Sequence, residues 1–273
     1  MNELLRLWGP VVLALLATLG FDLSTRRRGF DPPGFAQPLR RATGLAGIAM
    51  AFWLAFSPLG ALGQGKTLDL GAVSSWQLFQ VHGFLLLAVV LWFAAGQLGY
   101  APPGAPAGAS AARELGLTGR GLGREIGIGL AFGVGAWFAV LVIVVLVGLA
   151  VVALGGEGAL PQTPPEVIHW LAGKPAGLRL ALALSAGIFE ELFFRGLLQP
   201  RVGLIASTAV FALAHAGYEQ IFLLLGVSLL SIAYGWLVKF RQSIVAAMVA
   251  HAVFDGVQLL VVIPAVLKLF GSA

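Results

Sequence analysis

The sequence predicts an all-α protein, a polytopic membrane helix bundle of about eight transmembrane helices. Composition and the spacing of apolar stretches carry that prediction. Hydrophobic residues make up 59% of the 273 residues and charged residues only 11%, where a typical globular chain holds about 50% and about 25%. A soluble protein this poor in charge could not cover its own surface. Apolar stretches of roughly 20 residues, the length that crosses a bilayer, recur from end to end. Disorder, collagen and a soluble Rossmann enzyme are excluded on the same composition.

Eight candidate spans cover about 4–22, 42–62, 78–99, 126–155, 180–200, 203–218, 219–238 and 243–269. The first is followed, not preceded, by Arg26-Arg27-Arg28 and ends without an A-x-A site, so a cleaved signal peptide is not expected. The second and third carry almost nothing ionisable. His82 in the third and His169 before the fifth lie near span ends, where interfacial histidines are unremarkable. Neither is assigned a role. Pro102, Pro103 and Pro106, then alternating Gly and Ala, divide the chain into three parts. Residues 1–99 form an N-terminal three-helix membrane region, 100–125 a cytoplasmic linker and 126–273 the part that holds the chemistry.

The fourth span is long enough to tilt or overrun the bilayer. Its Gly129-x-x-x-Gly133, with Gly127 and Gly135, reads as small residues that let helices approach closely. Gly119, Gly121 and Gly123 alternate in a loop with no strand before them, so they do not make a phosphate cradle. The sixth span is the shortest. No internal repeat is visible, which argues against a transporter.

The net charge of +5 and a pI near 10.1 could suggest a nucleic-acid partner. Position argues otherwise. Eleven Lys and Arg fall in 23–41, 100–125, 201–202 and 239–242, against five in the alternate connections and termini. This is the positive-inside bias; it places Arg26–Arg28 in the cytoplasm and both termini outside. No nucleic-acid partner is expected. The absence of cysteine excludes disulfides, thiolate metal sites and cysteine nucleophiles.

Charge inside the spans is concentrated in three places. The fifth reads Gly187-Ile188-Phe189-Glu190-Glu191-Leu192-Phe193-Phe194-Arg195-Gly196. Two carboxylates in an apolar span cost at least a few kcal/mol each, so they mark function or a buried ion pair. Glu191 and Arg195 are i,i+4 and can pair, which leaves Glu190 facing elsewhere without a local partner. The sixth span holds Phe211-Ala212-Leu213-Ala214-His215 and the eighth His251-Ala252-Val253-Phe254-Asp255. His251 and Asp255 are again i,i+4. Each motif alone could be a packing device. Depth joins them: at 1.5 Å per residue Glu190, His215 and His251 all lie about 15–18 Å from the cytoplasmic face. One polar site within the bilayer is the economical reading.

Glu190-Glu191-x-x-x-Arg195, Phe211-x-x-x-His215 and His251-x-x-x-Asp255, in that order, resemble the three motifs of the CPBP family. This is the superfamily of type II CAAX prenyl endopeptidases and bacteriocin-processing (Abi) membrane proteins. Ala112-Arg113-Glu114-Leu115-Gly116-Leu117 looks like the family's lead-in, so the family-like region runs from about 112 to 260. The resemblance implies that 126–273 is an intramembrane protease domain of glutamic type. Glu190 with His215 would activate water, His251 and Asp255 would stabilise the oxyanion, and Glu191 with Arg195 would hold the geometry. The prenyl endopeptidases usually have Asn where this chain has Asp255. An ionised carboxylate cannot donate to an oxyanion, so Asp255 is either protonated or orients His251.

The resemblance implies no cofactor, and a membrane-associated protein or peptide as substrate within the lipid bilayer. A multi-pass protein of a bacterial inner membrane is expected, its site opening toward the cytoplasm. Two other readings stand beside it. Glu190, His215 and His251 could bind zinc, as two histidines and a carboxylate, although no H-E-x-x-H is present. A non-catalytic adaptor or immunity protein could share the scaffold, although every motif is intact.

Overall fold

A computed structural model describes residues 3–61, 73–98, 109–117, 121–160, 166–218 and 221–269. Lys66, the prolines at 102, 103 and 106, Gly119 and Arg120 lie outside the described residues. Among the described residues every element is helical: α1 (Glu3–Arg27), α2 (Pro38–Ala61), α3 (Gln77–Leu98), α4 (Ala109–Glu114), α5 (Leu122–Gly155), α6 (Glu166–Ala172) and α7 (Ala176–Ser185). Two π-helical segments, Ala186–Glu190 and Leu192–Leu198, prolong α7 into α8 (Gln199–Val202). Then come α9 (Leu204–Ala214), α10 (Ile221–Arg241), α11 (Val245–Val257), a third π-helical segment (Gln258–Val262) and α12 (Ile263–Leu269).

Among the described residues, five stretches are long and apolar enough to cross a membrane: Leu7–Arg27, Gln77–Gln97, Leu122–Gly155, Phe222–Arg241 and Val245–Lys268. The chain is an integral, multi-pass, all-α membrane protein. The other three expected spans take different forms. α2 has 24 residues, but Arg40, Arg41, Ser57 and Pro58 dilute its apolar course. The expected fifth span is a run of four helical pieces from Ala176 to Val202. α9 has 11 residues, about 16 Å, only half of a ~30 Å hydrocarbon core. By contrast the 34 residues of α5 extend about 51 Å, as a tilted or overrunning helix requires. Its Leu130, Val134, Phe138, Leu141, Val145 and Leu149 are exposed, an apolar face directed at lipid.

Two apolar clusters hold the bundle. One joins Ile48, Ala51 and Ala55 of α2 and Leu85, Val89 and Trp92 of α3 to Phe193, Phe194, Leu197, Leu198, Val210 and Phe211. The first three helices therefore share a core with the segments that carry the motifs. The other joins α5, α10 and α11 through Tyr234, Ala246, Ala247, Ala250 and Phe254. There the small-residue expectation is met. A Cβ at Gly129 would lie 2.6 Å from Val249 Cβ, and one at Gly133 would lie 2.7 Å from the Ala250 carbonyl oxygen.

The connections expected to share one side of the membrane meet at one end of the bundle. Asp22 accepts from Arg26 Nε at 2.9 Å and Arg41 Nε at 3.0 Å. Arg40 donates to both Glu114 oxygens, at 3.0 and 3.2 Å. Arg40 and Arg201 lie over the same Trp92 ring, at 4.2 and 4.3 Å. Arg241 pairs with Glu125. The Ile244 amide donates to the Gly116 carbonyl at 3.0 Å, and Leu115 packs over Gly196. The lead-in 112–117 thus seats the connection before α5 against both motif-bearing segments.

Candidate active site

Gly187 brings the chemistry together. A Cβ there would lie 2.7 Å from the Ala252 nitrogen and 2.7 Å from the Met248 carbonyl oxygen, so only glycine lets the first π-helical segment rest on the α11 backbone. One turn on, Glu190 and Glu191 meet His251. π-Helical turns are rare and collect at functional sites. Here two of them flank Glu191.

Glu191 is fully buried and pairs with Arg195 at 3.1 Å, as i,i+4 spacing predicts. The same Glu191 oxygen also accepts from His251 Nδ1 at 2.9 Å. That bond, not one from Asp255, fixes the δ nitrogen of His251. The ε nitrogen lies 3.4 Å from Asp255 Oδ2 and 4.0 Å from Glu190 Oε2. In the doubly protonated imidazole an N–H therefore points between Glu190 and Asp255. The Tyr234 ring stacks on His251 at 5.4 Å. Arg195 also donates to the Ser231 carbonyl at 3.4 Å and lies 4.8 Å from the Phe211 ring centroid.

The structure brings Glu190, Glu191, Arg195, His251 and Asp255 into one cluster. His215 stands beside it. Its Nδ1–H donates to the Phe211 carbonyl at 2.8 Å, which leaves the lone pair of the neutral ring on Nε2. The Phe211 ring is 4.6 Å from His215 and 6.3 Å from His251. Among the described residues no three His, Cys, Asp or Glu side chains group closely enough to hold a metal ion. Glu190, His215 and His251 are therefore not gathered around one ion position.

Glu190 does have a partner, but a distant one in sequence. His82 Nε2 of α3 lies 3.3 Å from Glu190 Oε1, and His82 Nδ1 lies 2.8 Å from Ser185 Oγ. The expectation of an unremarkable interfacial histidine does not describe this contact. His82, Leu85, Val89 and Trp92 recur at intervals of three and four and are all buried. In a helix that is apolar all round, that stripe has no polar face to reveal it. His169 lies on the short α6.

Residues 172–257 match the family model "Type II CAAX prenyl endopeptidase Rce1-like". That segment is similar to the type II CAAX prenyl endopeptidase family. The match spans Glu190 to Asp255 and begins after α5, so His82 lies outside it. No curated protein and no solved structure matches the chain. The Rce1-like model is a family of endopeptidases, and its matched segment is the one that builds the buried cluster.

Proposed function

We propose that this protein is an intramembrane endopeptidase of glutamic type that hydrolyses peptide bonds of a membrane-associated protein or peptide. The approach of Glu190 and Asp255 to within 4.0 Å of His251 Nε2, inside an apolar bundle, carries the reading. Glu190 takes a proton from water as the water oxygen bonds to the amide carbon, and the carbonyl electron pair moves onto oxygen. His215 is assigned to that same water. The Nε2 side of His251, with Asp255, stabilises the developing oxyanion. Such donors gain strength where water is excluded. Glu191 and Arg195 hold the His251 ring. The Rce1-like match supports this reading, and the site's position among the bundle's helices supports a membrane-borne substrate.

The test is cleavage by purified protein in nanodiscs, with prenylated CAAX peptides and unprenylated membrane peptides offered side by side. Wild type is expected to cleave at least one class. Glu190→Gln, which keeps the shape but cannot accept a proton, is expected to lose at least about 100-fold. Near-normal cleavage by the Gln variant would remove Glu190 as base. Loss of wild-type activity on chelation would replace the glutamic mechanism with a metal-dependent one.

A further inference from the structure

The first three helices lie outside the Rce1-like match, yet α3 contributes one side chain to the cluster. We propose that His82 is a positioning residue that holds the proton Glu190 would otherwise take up, and so keeps Glu190 a carboxylate able to act as base. The inference rests on the base role proposed for Glu190.

The Ser185 hydroxyl lies 3.0 Å from the Leu182 carbonyl, which can only accept. We place its single hydroxyl proton there rather than on His82 Nδ1. Facing His82 Nδ1 at 2.8 Å, Ser185 Oγ can then only accept, so Nδ1 carries a proton. In a neutral ring Nε2 is then a lone pair. That lone pair would face Glu190 Oε1 at 3.3 Å. Two lone pairs do not hold one another, so one proton lies between them. Placed on Nε2, it makes His82 the countercharge of a Glu190 carboxylate. An isolated ionised carboxylate in an apolar medium neutralises itself unless it is paired.

The other cations near Glu190 are shared with other partners. Arg195 is paired with Glu191. His251 lies between Glu191 and Asp255 and reaches Glu190 only at 4.0 Å. His215, from α9, bonds Phe211. Among the described residues these are the cationic groups nearest Glu190 besides His82. His82 itself is shielded by the Phe79 ring, one turn earlier on α3 at 6.4 Å. The proton balance closes through one turnover. Glu190 receives a proton from the attacking water, and the Glu190–His82 pair then holds two. One goes to the leaving amine as the C–N bond breaks. Loss of the carboxylic acid proton from the cleaved product at neutral pH completes the cycle, and the pair keeps its original proton.

The experiment uses full-length protein in nanodiscs with His82→Gln, His82→Ala, Ser185→Ala and Glu190→Gln. Glutamine can still donate an N–H to Glu190 but holds no transferable proton. Infrared spectroscopy is expected to show in His82→Gln a protonated-carboxyl C=O band additional to any in wild type, lost again in the His82→Gln/Glu190→Gln double variant. This readout does not depend on cleavage. In turnover, His82→Gln and His82→Ala are expected to lose about 10- to 100-fold in kcat, with KM within about twofold. The acid limb of the pH profile should move, and added imidazole should partly rescue His82→Ala. Ser185→Ala should lower kcat less. If Glu190→Gln is inactive while His82→Gln keeps the wild-type spectrum, kcat and pH profile, His82 only packs and the inference fails. If Glu190→Gln cleaves normally, the base assignment fails instead, and the carboxyl band alone decides the His82–Glu190 pair.

Discussion

Gly187→Ala is the smallest change that should open the site. The added Cβ would lie 2.7 Å from the Ala252 nitrogen, 2.7 Å from the Met248 carbonyl oxygen and 2.8 Å from the Ala252 Cβ. Two of these are backbone atoms of α11 and cannot rotate away. Ordinary contact begins near 3.4 Å, so the π-helical segment must retreat from α11 by roughly 0.7 Å. If the full retreat fell on the 2.9 Å His251–Glu191 bond, it would stretch to roughly 3.6 Å, where it ceases to be a hydrogen bond. Overpacking of this kind costs about 1–3 kcal/mol, and a misplacement near 1 Å can cost about 100-fold in rate. Peptide turnover and thermal unfolding, both in nanodiscs, measure the two effects. Gly135→Ala is the matched control, since nothing lies within 4 Å of a Cβ there. Wild-type turnover and melting in Gly187→Ala, or equal damage from Gly135→Ala, would refute the close-approach argument.

Glu191→Gln and Arg195→Ala should behave alike, since each strands a buried charge at about 3–5 kcal/mol; lowered melting temperature with lost turnover is expected, and normal melting of both would remove their structural role. At Asp255, Glu191 already fixes the δ nitrogen of His251, so the carboxyl is free to serve the reacting oxygen. Asp255→Asn should keep at least about a tenth of the activity and hold it to higher pH, while Asp255→Ala loses ~100-fold or more. An Asn variant as inactive as Ala at every pH would show that the negative charge itself is needed. Reporter fusions after residues 30 and 112 should report cytoplasm, and fusions after residue 66 and at the C-terminus the outside; an inside C-terminus would mean an odd number of spans.

What the sequence determined is what composition and local spacing can carry. A chain with 59% hydrophobic residues and few charges has no way to be soluble, so the membrane class follows from solvation alone. Charged side chains in apolar helices are costly enough that Glu190, Glu191, Arg195, His251 and Asp255 stand out one by one. The i,i+4 pairs Glu191–Arg195 and His251–Asp255 follow from helix geometry, and both are present at 3.1 and 3.4 Å. Small residues at Gly129 and Gly133 announced a close helix contact, though not that α11 would fill it. Tertiary structure decided which of two neighbouring carboxylates meets which ring. Glu191 spans Arg195 and His251, and Glu190 turns to His82, 108 residues away in sequence. A periodic apolar pattern names a helix's inner face only when its outer face is polar, and in lipid both faces are apolar. The inward stripe of α3 was therefore silent, and His82 could be placed only by the packing of α3 against the π-helical segment that bears Glu190.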